Sequence, residues 1–303
     1  MDWTESLKRA IDFVELHLLD DITAKDVAEQ VNISLFYFHK GFSIMTGFSI
    51  SEYIRCRRLY LSALDIISGD QKVIDIAYKY GYDTPESFTK AFSRFHGISP
   101  SALRRDKGRI RTFLPLKISV NIQGGNDMDC KVEKMNGFKV IGFERSFTYK
   151  DAYKEIPKFW DELFKPLYFK ENRETELEKA VIENCIGEFG VCIDDCAKDE
   201  FGKDIDRLHD EKFRYIIGGR YKGGAVPDGM TVYEFPDMLW AKFSCTGPMP
   251  GALQDVNTRI FKEWLPGNPD FEIALSANIE RYDKGDSSLP DYKSEIWIPV
   301  KRK

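Results

Sequence analysis

Residues 73–105, VIDIAYKYGYDTPESFTKAFSRFHGISPSALRR, leave little freedom in what they can become. Val73, Ile74, Ile76, Ala77 and Tyr80 recur at helical spacing, and Gly81 stands where a left-handed residue ends such a helix. Thr84 suits an N-cap, and Pro85 suits the first helical position, where a missing N–H costs nothing. The helix that follows puts Phe88, Ala91, Phe92 and Phe95 on one face. Glu86, Thr89, Lys90, Ser93 and Arg94 take the other. Two short helices about a glycine turn, the second with a polar outer face, spell a helix-turn-helix. Gly97, Ser99 and Pro100 then open one more short helix, ending in Arg104-Arg105.

The residues upstream repeat the plan. Leu7, Ile11, Val14 and Leu18 define a first helix; Thr23 and Asp26 form a capping box for a second with Val27, Ala28 and Val31 inward. Ser34 caps a third, ended by Gly47, while Ser49 and Glu52 form a capping box for a long helix from Ile50 to Ser68, stopped by Gly69. Two recognition helices on a rigid spacer enter successive major-groove segments on one DNA face, about one helical turn apart.

IAYKYGYDTPESFTKAF followed by GISPSALRR resembles the signature of the AraC/XylS family of transcription regulators, over roughly residues 4 to 105. The resemblance implies base-reading positions at Phe36, His39 and Lys40 in the upstream helix and at Pro85, Glu86, Thr89 and Lys90 in the downstream one. Lys40 and Lys90 are suited to guanine or phosphate, His39 to a base edge, and Glu86 to a cytosine amino group. The chain has Lys where the family commonly has Arg, and Pro85 has no side-chain donor, so the operator sequence stays open. The implied partners are promoter double-stranded DNA and, beyond it, RNA polymerase.

Net charge bears on how DNA is held. The whole chain is −5, but residues 1–112 hold 16 Lys+Arg against 15 Asp+Glu, or +1, and the remainder 28 against 34, or −6. Binding then depends on local cations, Arg55, Arg57, Arg58, Lys90, Arg94, Arg104 and Arg105, rather than on a bulk field. No apolar run approaches the roughly 20 residues of a membrane span, and the reading is a cytoplasmic protein without membrane contact. Of the six cysteines, Cys56, Cys130, Cys185, Cys192, Cys196 and Cys245, only Cys192 and Cys196 are close together. They lack a second ligand pair at zinc spacing, and His17, His39, His96 and His209 form no cluster, so neither metal nor cofactor is expected.

Residues 109–127 read as linker and first strand, with Leu116, Ile118, Val120 and Ile122 alternating, between an N-terminal domain of residues 1–108 and a C-terminal one of residues 128–303. GFKVIGFERSF is a strand and AYKEIPKFWDELFKPLYF a helix with Ile156, Phe159, Trp160, Leu163 and Leu167 inward; GEFGVCIDD and FRYIIGGRY are strands. LWAKFSCTG, ALQDVNTRIFKEWL, SANIERYD and SEIWIPV repeat the order. The fold class is therefore multi-domain: an all-α half with two helix-turn-helix units joined by a long helix, then an α+β half of duplicated strand-helix-strand-strand units, with a cleft between them.

The closing strands hold the sharpest constellation. Glu280 and Tyr282 share one face of their strand, and Glu295 and Trp297 share one face of theirs. A half-buried carboxylate beside aromatic rings suits an organic cation. Tyr215, Tyr221, Tyr233, Phe235 and Trp240 are further wall candidates. GFKVIGF, Tyr233-Glu234 with LWAKFSCTG, and EIWIPV resemble the GyrI-like effector-binding domain, and its fusion to an AraC-type domain looks like the Rob type of regulator. The resemblance implies a ligand-facing glutamate, Glu280 or Glu295, and a small-molecule effector. A one-component, non-enzymatic regulator, a monomer rather than a homodimer, is the expectation. A hydrolase using one of these glutamates as base and a protein-interaction module are the alternatives.

Overall fold

The computed structural model describes residues 3–69, 71–118, 128–149, 151–168, 175–194 and 212–303. Cys196, His209, Val120 and Ile122, and the side chain of Leu167, lie outside what is described. The chain divides into two compact units, Trp3–Asn121 and Ile122–Lys303.

The first unit contains α1 (Trp3–Leu16), α2 (Ala24–Gln30), α3 (Leu35–Thr46), α4 (Ile50–Ser68), α5 (Val73–Lys79), α6 (Pro85–His96) and α7 (Pro100–Asp106). The caps follow from residue type. Thr23 closes a reciprocal box with Asp26, while Ser34, Thr84 and Ser99 each accept the backbone N–H three residues on. At Ser49 only half of the expected box forms: its hydroxyl accepts from Glu52 N, but the Glu52 carboxylate turns to Arg55 at 3.8 Å. Gly81 has φ +78°, and a Cβ there would stand 3.1 Å from Arg58 Nη1, so glycine answers both backbone and space. Leu59, Ala63 and Ile66 of α4 pack with Ile76 and Ala77 of α5, Phe88 and Phe92 of α6, and Leu103 of α7.

Residues 107–118 are not a strand. They run as irregular chain back over the first unit, where the Phe113 ring meets Phe48 at 5.3 Å and Tyr53 at 6.0 Å. Polar contacts fix that return. Arg57 is bidentate to Glu15 through Nε and Nη2 at 2.8 and 2.7 Å, Arg57 Nη1 donates to Phe113 O, and Leu116 N donates to Tyr53 OH. Further along, Arg111 N donates to His96 Nδ1, which makes Nε2 the protonated nitrogen, donating to Leu59 O at 3.0 Å. Burial lowers the His96 pKa from 6.5. Because the folded value is the lower one, the unfolded chain takes up the proton first as pH falls, and stability declines below about pH 6.5. The melting midpoint of this unit is expected to drop between about pH 7 and pH 5, and His96→Gln to flatten that slope in scans at stepped pH.

The second unit is built on one sheet of nine strands among the described residues: β1 (Cys130–Met135), β2 (Phe138–Thr148), β3 (Phe189–Ile193), β4 (Lys212–Arg220), β5 (Thr231–Phe235), β6 (Met238–Thr246), β7 (Phe271–Ile273), β8 (Ala277–Tyr282) and β9 (Lys293–Arg302). Its helices are α8 (Ala152–Tyr168), α9 (Glu176–Glu183) and α10 (Gly251–Arg259), the last continuing into a π-helical turn, Ile260–Trp264. The strand order β1-β6-β9-β8-β3-β4-β2-β5 is symmetric about the β8–β3 pair, with β7 added on β9. Each half is the expected strand-helix-strand-strand unit, but each has taken an edge strand from the other. β1 precedes β2 yet pairs with β6; β5 precedes β6 yet pairs with β2.

That exchange closes the sheet. Only Asn136-Gly137 joins β1 to β2 and only Pro236-Asp237 joins β5 to β6, so strands near opposite ends of the order are held within a few residues of each other. The two links meet where Gly137 N donates to Asp237 Oδ1 at 2.6 Å. The enclosed inner face is filled by Val140, Phe189, Val191, Ile216, Phe235, Trp240, Ile279 and Trp297. α8 and α10 lie on the opposite face, where Trp160 bonds Tyr215 and Trp264 packs on Phe243 at 5.0 Å.

Candidate functional site

Register decides which of the acidic and aromatic residues meet. In the β8–β9 ladder Arg281 stands opposite Glu295 and Glu280 opposite Ile296, so the two glutamates occupy opposite faces of the sheet. Glu280 and Tyr282 face the helices, as does Tyr215, which pairs with Cys192 one strand away from β8. Glu295, Trp297, Trp240 and Tyr233 face inward, in or against the closed core.

In the inward group Glu295 and Trp297 already have partners, while the Trp240 indole N–H has none among the described residues. Trp297 Nε1 donates to Glu295 Oε2 at 2.6 Å, Lys242 Nζ sits 3.9 Å from the Trp297 ring centroid, and Arg281 bridges Glu295, Asp283 and Glu188. Trp240 is fully buried, and Tyr233 packs on Phe235 at 4.9 Å. These four residues do not join Glu280 in one hollow, which corrects the expectation that they would line it. Closure of the sheet turned that face into core.

The helix-facing group is different in kind. Tyr282 and Tyr215 hydroxyls both donate to Glu280 Oε2, at 2.8 and 3.1 Å, and Trp160 Nε1 on α8 donates to Tyr215 OH at 3.2 Å. The Trp160 ring meets Tyr282 edge-on at 5.2 Å and stacks on Phe164 at 5.6 Å. Burial, then the nearby Glu280 carboxylate, raise both tyrosine pKa values well above the ordinary phenol, so both remain donors at physiological pH. Among the described residues Glu280 forms no ion pair; a half-buried anion is held by two phenols, with indole and phenyl rings beside it and no cation of its own.

Gly190 makes the arrangement fit. It stands opposite Glu280 in the β3–β8 ladder, and a Cβ there would lie 2.1 Å from Tyr215 OH and 3.2 Å from Glu280 Oε2. Gly190→Ala is expected to push the Tyr215 phenol off Glu280 and cost about 1–3 kcal/mol of stability, read as a lower unfolding midpoint. A strand-interior glycine is the sequence signal for such a close approach. Among the described residues there is no group of His, Cys, Asp and Glu fit to hold a metal ion, and no helix is long and apolar enough to cross a membrane.

In the first unit α6 presents Glu86, Lys90 and Arg94 along one exposed stripe, with Pro85 and Thr89 half-buried beside it and Phe88, Phe92 and His96 beneath. Arg55 is exposed on α4. α3 differs from expectation: Phe36 and His39 are buried, 2% and 4% exposed, and Lys40 is half-buried with its Nζ 5.6 Å from the Phe36 ring. Burial runs unbroken from Leu35 to His39, all the way round this apolar helix, which withdraws both side chains from the surface. Arg57 and Arg58, counted among the local cations, are structural: Arg57 is spent on Glu15, and Arg58 donates to the Leu18 and Asp20 carbonyls. Arg104 likewise donates to Gln71 O, and Arg105 pairs with Asp106.

Two families match the chain. The integron-associated effector binding protein family matches residues 131–300, and a helix-turn-helix domain family matches residues 27–106. An HTH-type transcriptional regulator of Bacillus subtilis, YbfP, is 33% identical over 104 residues, 34% of this chain and 35% of that protein. The match thus spans about a third of that relative. The HTH-type transcriptional activator AarP of Providencia stuartii is 34% identical over 92 residues, 30% of this chain and 68% of that protein. Among solved structures, SAV2435 bound to tetraphenylphosphonium superposes with a TM-score of 0.45 at 18% identity, over 57% of this chain and 94% of that one.

Proposed function

Because the chain belongs to the AraC-type helix-turn-helix family and, over residues 131–300, to the integron-associated effector-binding proteins, we propose that it is a DNA-binding transcriptional regulator whose second unit senses a lipophilic organic cation. One observation carries the cation: Glu280 is a half-buried carboxylate that has two phenol donors, aromatic neighbours and no ion pair among the described residues. A guest with delocalised positive charge supplies the missing countercharge, and the rings of Trp160 and Tyr282 offer it cation–π attraction. A strongly hydrated small cation gains less, because the site is walled by apolar rings. An anionic guest is repelled.

On the DNA side, the exposed stripe of α6, with half-buried Thr89 beside it, supports base reading by Glu86, Thr89 and Lys90 and phosphate contact by Arg94, with Arg55 as a second phosphate ligand. Lys40 is the α3 side chain best placed to join them. A duplex selected by the protein itself from a random pool serves as probe. Replacing both Lys90 and Arg94 by Ala is expected to weaken binding and to lower the slope of log affinity against log salt by about 2. An unchanged slope removes α6 from the interface.

A further inference from the structure

We propose that the effector is a bifunctional cation: besides the charge met by Glu280 it bears a hydrogen-bonding group, an amide, carbonyl or hydroxyl, received by the carboxamide of Asn278. This rests on the reading of Glu280 as the cation receptor. Asn278 precedes Glu280 by two residues on β8, so it shares the helix-covered face at a spacing of roughly 7 Å along the strand. It is completely buried, and neither its Nδ2 nor its Oδ1 has a hydrogen-bond partner. Its neighbour across the β3–β8 ladder is Cys192, whose thiol is a weak partner for an amide.

A carboxamide offers two donors and two acceptor lone pairs, and burying them unmet is both costly and uncommon. Leucine has nearly the same volume and would fill this place in the sheet without that cost. A second amide repeats the feature from the helix side. Asn257 on α10 is 5% exposed, with its Oδ1 also unpartnered, on the helix surface that carries Leu253 down onto β6 and β9. The tyrosyl part of the face is hydrogen-bonded throughout, whereas the Asn278 carboxamide has no protein partner among the described residues. A guest carrying only hydrophobic rings and charge would leave it waiting.

The probes are (2-carbamoylethyl)triphenylphosphonium and (3-methylbutyl)triphenylphosphonium, alike in charge and bulk, titrated calorimetrically into the full-length chain. The carbamoyl cation is expected to bind at least about tenfold more tightly, since a site built to hydrogen-bond rejects the analogue that lacks the group. Asn278→Leu is expected to erase that preference by weakening the carbamoyl cation alone, and Asn278→Ser to reduce it, which keeps the comparison available should the leucine variant not fold. Equal affinities in the unmodified protein overturn the proposal. So does a preference kept by both variants, the result expected of an amide satisfied by a buried water only. If both cations bind through Glu280 without an Asn278-dependent preference, this inference alone falls. If neither binds, cation sensing falls with it.

Discussion

Glu280→Gln is expected to weaken tetraphenylphosphonium binding by about 30-fold, the equivalent of ~2 kcal/mol for a largely desolvated cation held by charge and π-faces. The substitution isolates charge. Glutamine keeps the length of the side chain, and its carbonyl still accepts from Tyr215 and Tyr282, so the arrangement of rings and hydroxyls is kept while the charge disappears. Glu295→Gln is expected to change the affinity by less than about twofold, because that carboxylate faces inward beside Trp297 and is matched by Arg281. Calorimetric titration of the two variants separates the faces of the sheet. Loss of binding in Glu295→Gln with retention in Glu280→Gln would place the cation on the inward face of the sheet instead.

Arg57→Met is expected to destabilise the first unit by about 3 kcal/mol, whereas Arg55→Met costs less than about 0.5 kcal/mol. Two residues apart on the same helix, the two arginines differ in everything that matters. Arg57 is 4% exposed, grips Glu15 with two parallel bonds, and holds the Phe113 carbonyl with its remaining nitrogen. Its removal leaves the Glu15 carboxylate with the Tyr53 hydroxyl and takes from residues 107–118 the bond that holds the Phe113 carbonyl to α4. Arg55 reaches water and a carboxylate 3.8 Å away. Urea unfolding followed by far-UV ellipticity reads the difference. Were Arg57 a phosphate ligand instead, its loss would reduce DNA affinity and spare stability.

The helical half was legible because its signals are local. Thr23, Ser34, Thr84 and Ser99 cap where they stand, Gly47, Gly81 and Gly97 take positive φ where a helix must stop, and an apolar stripe needs only its own helix to be read. The same locality explains the failure at Arg57 and Arg58. A cation on a polar helix stripe looks alike whether it meets DNA or a carboxylate 42 residues away.

In the second half, alternation within a strand correctly joined Glu280 to Tyr282 and Glu295 to Trp297, yet the phase between strands is set by pairing register, which no single strand records. A one-residue offset sent the two glutamates to opposite faces. Nor does any strand announce that β1 and β5 exchange halves, and it is that exchange which converts Trp240, Trp297 and Tyr233 from expected walls into core. Periodicity places Trp160 inward on α8 but says nothing of what it meets there. Its bond to Tyr215 assigns it to the site.

The most direct measurement is the affinity of the selected duplex for the full-length protein with and without saturating tetraphenylphosphonium. Sensing through Glu280 predicts a change of about fivefold or more, lost in Glu280→Gln and retained in Glu295→Gln. By linkage the duplex must shift cation affinity by the same factor. Cation bound at Glu280 with the duplex affinity unmoved would contradict it, because a ligand that does not discriminate between the DNA-competent state and its alternative regulates nothing.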